Sequence, residues 1–292
     1  MTISEGKKQT TSDIPDKIFQ KVSTFPSMPQ AAIQLRTLIS KKDVSIDEIE
    51  RILRHDPGLA VNVLRLANSA FFGIPAKVTN LKQAVMLLGV KRFSKIAVGA
   101  SMYKSMDTAV EGYGLSPGEL WLHSIAVSTT AEALAKNRKL AEANDFFTPA
   151  LLHDLGKLVL GKFVKAEQPK IDSLVADGVP IVIAEREVLT TDHAEIGALI
   201  LSKWSFPDDL INAVLWHHYP DGSEDSNLYP EIVYLANLLC HSKGGGESDE
   251  EALNMPYPSV LDRLRIDSEQ YKVLAEKARN WMKKLSDTLT FD

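Results

Sequence analysis

Cysteine is almost missing from this chain: Cys240 is the single one in 292 residues. That excludes an internal disulfide framework and a cysteine-rich zinc site, and it suits a reducing compartment, so a cytoplasmic location is expected. Long apolar runs are missing as well. No stretch approaches the roughly 18 residues needed to span a bilayer, so no membrane is expected as a partner. The polar start MTISEGKKQTTSD lacks the apolar centre of a signal peptide, and residues 1–11 are expected to be a disordered lead-in. Positive charge is in deficit too: 33 Lys and Arg stand against 38 Asp and Glu, a net charge of −5. Nucleic acid is therefore not expected as a partner, and a sequence-wide electrostatic case for it fails. A local cluster, Lys91, Arg92 and Lys95, escapes the average, but its plain reading is a solvated helix face. Sustained strand alternation and internal repeats are absent, and what remains reads as all-α.

What is present is a succession of helix signals. Ordered structure is expected from Ser12, with an early Pro15 and apolar Ile14, Ile18, Phe19 and Val22 at helical spacing. Pro29 suits the first turn of a second helix whose inward side carries Ile33, Leu35, Leu38 and Ile39. Ser45 and Glu48 match a capping box. His55 and Asp56 precede Pro57 in a turn, where the pair reads as structural. The following stretch, GLAVNVLRLANSAFFG, is apolar around most of its circumference, which predicts a helix at the centre of a bundle. Asn68, Ser69 and Phe71-Phe72-Gly73 predict a tight exit from it. Thr79 or Asn80 can cap the next helical stretch, which Gly89 divides or kinks.

Glycines between Gly112 and Gly118 mark a change of composition. From Ser116 a long helix carries His123 among small residues, so His123 is expected to face another helix. The segment ALLHDLGKLVL, 150–160, follows. Its leucines and Val159 recur at helical spacing, which predicts a buried helix that bends or breaks near Gly156. His153 and Asp154 lie inside it, and a buried carboxylate needs a partner, a hydrogen bond or a metal. Gln168 to Ala184 predicts one or two short helices joined at Gly178-Val179-Pro180. Asp192 is placed to cap a helix beginning at His193, and Asp208-Asp209 to start one that ends at His217-His218. After a surface loop, DGSEDSNLYP, comes the apolar helix EIVYLANLLC. His241 beside Cys240 reads as structural, Gly244-Gly245-Gly246 with ESDEE as a flexible acidic connector, and about 257–289 as the last helices.

Five of the seven histidines, His123, His153, His193, His217 and His218, fall near the ends of successive predicted helices. Imidazoles with a carboxylate suit a divalent transition metal such as iron, manganese, zinc or nickel. If the helices converge, His123, His153 and Asp154 form one set, and His193, His217 and His218 serve a second ion. If they do not, each histidine is a separate helix-end residue with a backbone partner.

These motifs carry a resemblance. His123 on its helix, HDLGK at 153–157, HAEIGALIL from His193 and the His217-His218 pair resemble the HD superfamily of metal-dependent phosphohydrolases. FPSMP, HDPGLAVNVLRLANSAFFG and LKQAVMLLGVKRF resemble the HDOD family of bacterial signalling proteins, over roughly residues 19 to 218. The resemblance implies an all-α, multi-helix HDOD fold, with an N-terminal helical subdomain (12–115) packed on an HD-like half (116–243) and a C-terminal extension (244–292). It also implies that His123, His153 and Asp154 are metal ligands, with a later aspartate as the fourth. Here that position is Asn237, a neutral amide. The cyclic-dinucleotide phosphodiesterase pattern is incomplete as well, since Tyr219 stands where an acid is expected and no GYP follows.

Two functions follow. One is a regulatory module that binds a signalling protein partner and keeps a degenerate metal site of one or two ions. The other is a metal-dependent phosphohydrolase acting on a nucleotide or cyclic dinucleotide, in which Asp154 helps orient a water and Lys157 binds a phosphate oxygen. The plain alternative for Lys157 is an exposed helix residue.

Overall fold

The computed structural model describes residues 13–39, 44–54, 56–68, 77–140, 143–224, 228–240 and 256–288. Among the described residues there is no strand, only an isolated bridge between Val110 and Leu115, and no helix long and apolar enough to cross a membrane. The all-α expectation holds. The lead-in, His55, the exit after Asn68, part of the DGSEDSN loop, His241 and the acidic connector lie outside the described residues.

The first six helices are α1 (Asp13–Ser23), α2 (Gln30–Ile39), α3 (Ile46–Arg54), α4 (Pro57–Ala67), α5 (Leu81–Leu88) and α6 (Val90–Met106). Their starts follow side-chain chemistry. Ser45 and Glu48 exchange the two bonds of a capping box, each at 3.2 Å. Asp56 accepts the Leu59 N–H at 2.9 Å, and Asn80 rather than Thr79 accepts the Gln83 N–H at 2.8 Å. Gly89, at φ 77°, separates α5 from α6 in a backbone conformation that L side chains avoid. Both α2 and α4 pack on α6, whose Phe93, Ile96, Ala97 and Met102 are buried.

Of the apolar residues spaced along α1, Ile18 and Val22 turn inward and Phe19 is 49% exposed. One apolar expectation needs correction. Helix α4 does not sit at a bundle centre: Leu59, Val63, Leu66 and Ala67 are buried, while Gly58, Val61 and Arg65 form an exposed stripe on the other side. The central positions go to α6 and to the next helix. At the end of α4 the Asn68 side chain donates to Leu64 O and Val78 O at 2.9 and 2.8 Å and accepts the Val78 N–H at 2.7 Å. Asn68→Ala removes all three bonds and is expected to lower stability by about 2 kcal/mol, read as a lower urea midpoint at unchanged slope.

Eight helices follow: α7 (Glu119–Asn137), α8 (Phe147–Leu152), α9 (Lys157–Ala166), α10 (Gln168–Ala176), α11 (Ile181–Leu189), α12 (His193–Lys203), α13 (Asp208–Leu215) and α14 (Tyr229–Cys240). The long α7 is buried along most of its length and packs on α8 and α14. Helix α1 crosses to this half and packs on α9 and α12. Lys203 holds it there by donating to the carbonyls of Val22, Ser23 and Phe25 at 3.3, 2.6 and 3.1 Å, a cation on the open end of a helix. The last two helices, α15 (Pro258–Arg263) and α16 (Ser268–Thr288), are fastened to the rest by side chains. Arg263 pairs with Asp221 at 2.7 Å and Glu231 at 2.8 Å, and Trp281 donates to Thr129 Oγ1 at 3.0 Å.

One contact brings the future site together. Gly156, in the turn between α8 and α9, lies directly against α12: a Cβ there would sit 2.0 Å from His193 O and 2.8 Å from Gly197 N. Only glycine allows this approach. It places the His153-Asp154 turn beside the start of α12.

Candidate metal centre

Five helix ends and one helix middle supply the side chains. His123 projects from the first turns of α7, His153 and Asp154 from the turn after α8, and Lys157 from the start of α9. His193 is the first residue of α12, His217 and His218 follow α13, and Asn237 lies on α14. The two oxygens of Asp154 face different groups. Oδ2 is 3.2 Å from His153 Nε2 and 3.6 Å from His123 Nε2, whereas Oδ1 is 3.4 Å from His193 Nε2 and 3.9 Å from His217 Nε2. His193 Nε2 in turn lies 2.8 Å from His218 Nε2. The candidate ligand atoms of His123, His153 and Asp154 all lie within 4.8 Å of one another, as do those of His193, His217 and His218. Asp154 stands between the two sets.

The ring orientations have local causes. The last carbonyls of a helix have no partner within it. Ala150 O takes the Nδ1–H of His153 at 2.7 Å, and Val214 O takes that of His217 at 2.6 Å. A carbonyl only accepts, so each Nδ1 carries a proton and each ring turns its Nε2 toward Asp154. His193 is oriented by Glu185, whose carboxylate lies 2.8 Å from Nδ1.

Electrostatics favour ligation at most of these atoms. Burial pushes the Asp154 carboxyl up, but His153, Lys157 and His193 together outweigh it and hold the group well below its ordinary value. Burial and the neighbouring imidazoles hold His217 and His218 well below the ordinary histidine value, so both rings are neutral. His193 differs: burial opposes its charge, yet Glu185 dominates and raises it to about 9. An ion at His193 Nε2 must therefore displace a proton.

The residues fit a divalent cation. His153 Nε2, His217 Nε2 and both oxygens of Asp154 are buried without a hydrogen bond. Buried polar groups left without a partner cost about 1–3 kcal/mol each; Asp154 Oδ2 has the Lys157 ammonium at 3.1 Å as a counter-charge, whereas His153 Nε2, His217 Nε2 and Asp154 Oδ1 call for a further partner. Imidazole nitrogens with a carboxylate suit iron, manganese, zinc or nickel.

The remaining sequence candidates fall into place around this core. Asn237 Oδ1 is 3.0 Å from His123 Nε2, so the amide occupies the atom through which His123 would bind an ion. Lys157 is not an exposed helix residue: it is 4% exposed, its ammonium lies 3.1 Å from Asp154 Oδ2, and the Tyr113 ring centroid is 5.3 Å from it. Tyr219 lies outside both sets, with its ring near the Arg186 guanidinium. Lys95, read above as solvated, is buried and pairs with Asp145 at 2.9 Å. Sequence reasoning missed Glu185 and Tyr113. Glu185 had a signal, since it falls three residues after Val182 and four before Leu189 on the buried face of α11, where a carboxylate is out of place.

Comparison with known proteins gives a consistent result. A family model described as HDOD domain matches residues 25–220. An uncharacterized protein of Treponema pallidum (strain Nichols) is 26% identical over 272 residues, which cover 91% of this chain and 51% of that protein. The chain thus spans about half the length of that curated relative. Among crystal structures, a presumed phosphohydrolase from Shewanella amazonensis SB2B is 25% identical at a TM-score of 0.72, over 94% of this chain and 98% of that one. An HDOD domain protein with unknown function from Geobacter sulfurreducens shares the fold at a TM-score of 0.72 and 20% identity, over 96% and 98% of the two chains.

Proposed function

The chain belongs to the HDOD family, and on that premise we propose that it is a bacterial signal-transduction module that acts by binding a protein partner and carries an HD-type metal centre weakened at one set. The observation that carries this reading is the Asn237 amide on His123. In the first set, His123, His153 and Asp154, an ion has one carboxylate where the HD pattern has two, and it competes with the Asn237 hydrogen bond for His123 Nε2. The second set, His193, His217 and His218 with Asp154 Oδ1, keeps all its donors. Bound there, a divalent ion supplies Lewis-acid polarisation of a phosphoryl oxygen. The chain's own residues are less suited to turnover, because the Lys157 ammonium is covered and engaged by Asp154. Support for a protein partner comes from the surface: Met86 is 71% exposed and Leu87 52% on α5, and Val61 is 54% exposed on α4, a helix that packs against α5. Large exposed apolar side chains on adjoining helices suit a docking surface.

The retained donors and the likeness to a presumed phosphohydrolase favour the second reading, hydrolysis of a nucleotide or cyclic dinucleotide. One experiment separates the two. Metal content is measured by mass spectrometry on protein purified without chelator or metal-binding tag, for wild type and Asn237→Asp, and both are assayed on cyclic dinucleotides. Expected are substoichiometric metal in the first set of the wild type, about tenfold tighter binding there in Asn237→Asp, and no turnover by the wild type. Turnover by the wild type, abolished by His217→Ala, overturns the regulatory reading in favour of the hydrolase.

A further inference from the structure

The imidazoles of the centre are aimed by two different devices. His153 and His217 follow the last turns of their helices and use leftover carbonyls three residues back. That solution is closed to His193. It is the first residue of α12, and a helix start offers surplus N–H groups where a helix end offers carbonyls. An acceptor must come from another element. Glu185 on α11 supplies it: the fully buried carboxylate accepts the His193 backbone N–H on Oε2 at 2.8 Å and the ring Nδ1–H at 2.8 Å to Oε2 and 3.0 Å to Oε1. Arg186, the next residue of α11, grips the same helix start through Asp192, whose other oxygen caps the Glu195 N–H at 2.8 Å. Helix α11 therefore holds both the backbone and the ring at the start of α12.

We propose that Glu185 is a positioning residue of the metal centre, which fixes the His193 ring with Nδ1–H on the carboxylate and so presents Nε2 to the space shared with Asp154 Oδ1 and His218. The inference rests on the metal reading above. A carboxylate behind a ligating imidazole sets the ring's tautomer and raises its basicity, and loss of such a partner weakens metal binding about 10- to 100-fold. Glu185 thus acts on the second set, through the His193 ring that its carboxylate holds.

The test uses the full chain, metal-free and then titrated with cobalt(II), in four forms: wild type, Glu185→Gln, Glu185→Ala and His193→Ala. In the metal-free chain the bonded Nδ1–H is expected as a slowly exchanging, low-field proton resonance that His193→Ala lacks. Glu185→Gln, whose amide oxygen still accepts, keeps the resonance and binds one of two cobalt ions about tenfold more weakly. Glu185→Ala loses the resonance and binds that ion about 100-fold more weakly, with the other affinity unchanged within about twofold. A merely structural role would lower the thermal midpoint without changing the ratio of the two affinities. Cobalt bound equally by wild type and Glu185→Ala, or a resonance that survives in Glu185→Ala, overturns the proposal. Should Glu185→Ala not fold, an unchanged affinity ratio in Glu185→Gln overturns it. A wild-type chain that takes up no cobalt overturns the metal reading itself, and the proposal with it.

Discussion

Replacing Asp154 with alanine is expected to empty both donor sets at once. Its Oδ2 faces His123 and His153 while its Oδ1 faces His193 and His217, so no other side chain belongs to both groups. The remaining donors are all imidazoles, and none of them supplies the negative charge that this carboxylate does. His123→Ala should remove metal from the first set only, and His218→Ala should weaken the second only. Metal counted per chain by mass spectrometry checks all three, and Asp154→Ala with one ion still bound would mean that the sets are independent. The same substitution leaves the Lys157 ammonium buried without its carboxylate. Breaking a buried pair in this way costs about 3–5 kcal/mol, so the variant should also unfold at a lower urea concentration. Asp154→Asn keeps the volume and a hydrogen-bonding oxygen, and separates loss of metal from loss of fold.

Gly156→Ala is expected to have a comparable effect from a position that touches no ligand atom. The added methyl would meet the His193 carbonyl and the Gly197 N–H, and backbone cannot swing aside as the end of a side chain can. The turn carrying His153 and Asp154 must then move off α12, at a cost of about 3 kcal/mol. Metal binding should fall with stability, because the displacement separates Asp154 from His193. Gly58→Ala is the contrasting control: its nearest neighbour is Asp56 Oδ1 at 3.5 Å, an ordinary contact, and alanine in a helix should add about 0.5–1 kcal/mol. Chemical unfolding of both variants checks the pair, and a Gly156→Ala protein as stable as wild type would show that the two segments are not held in this contact.

Much of the helical order was legible in advance because helix starts are decided locally. Ser45 with Glu48, Asp56, Asn80 and Asp192 each accept an N–H within the next three residues, and a side chain that reaches so short a distance acts much the same in any context. Gly89 could be read as a divider for the same reason. Burial was less legible. Periodicity says which residues of one helix share a face, but it does not say which face meets the core. Phe19 and Val61 therefore point outward although their neighbours in the pattern are buried, and Lys95 and Lys157 are buried although charge argued otherwise.

By itself the sequence determined the all-α class, the exclusion of an internal disulfide and of a cysteine-rich metal site, the helix starts, and a set of histidines with one aspartate whose pattern resembles the HD superfamily. The tertiary structure alone decided how those residues face one another. Asn237 meets His123 across 114 positions, and no spacing rule reaches that far. The division of Asp154 between two donor sets, the covering of Lys157 by Tyr113 and the hold of Glu185 on His193 depend on crossings such as Gly156 against α12. A crossing is set by the shapes of two packed surfaces together, so neither segment of the chain encodes it alone.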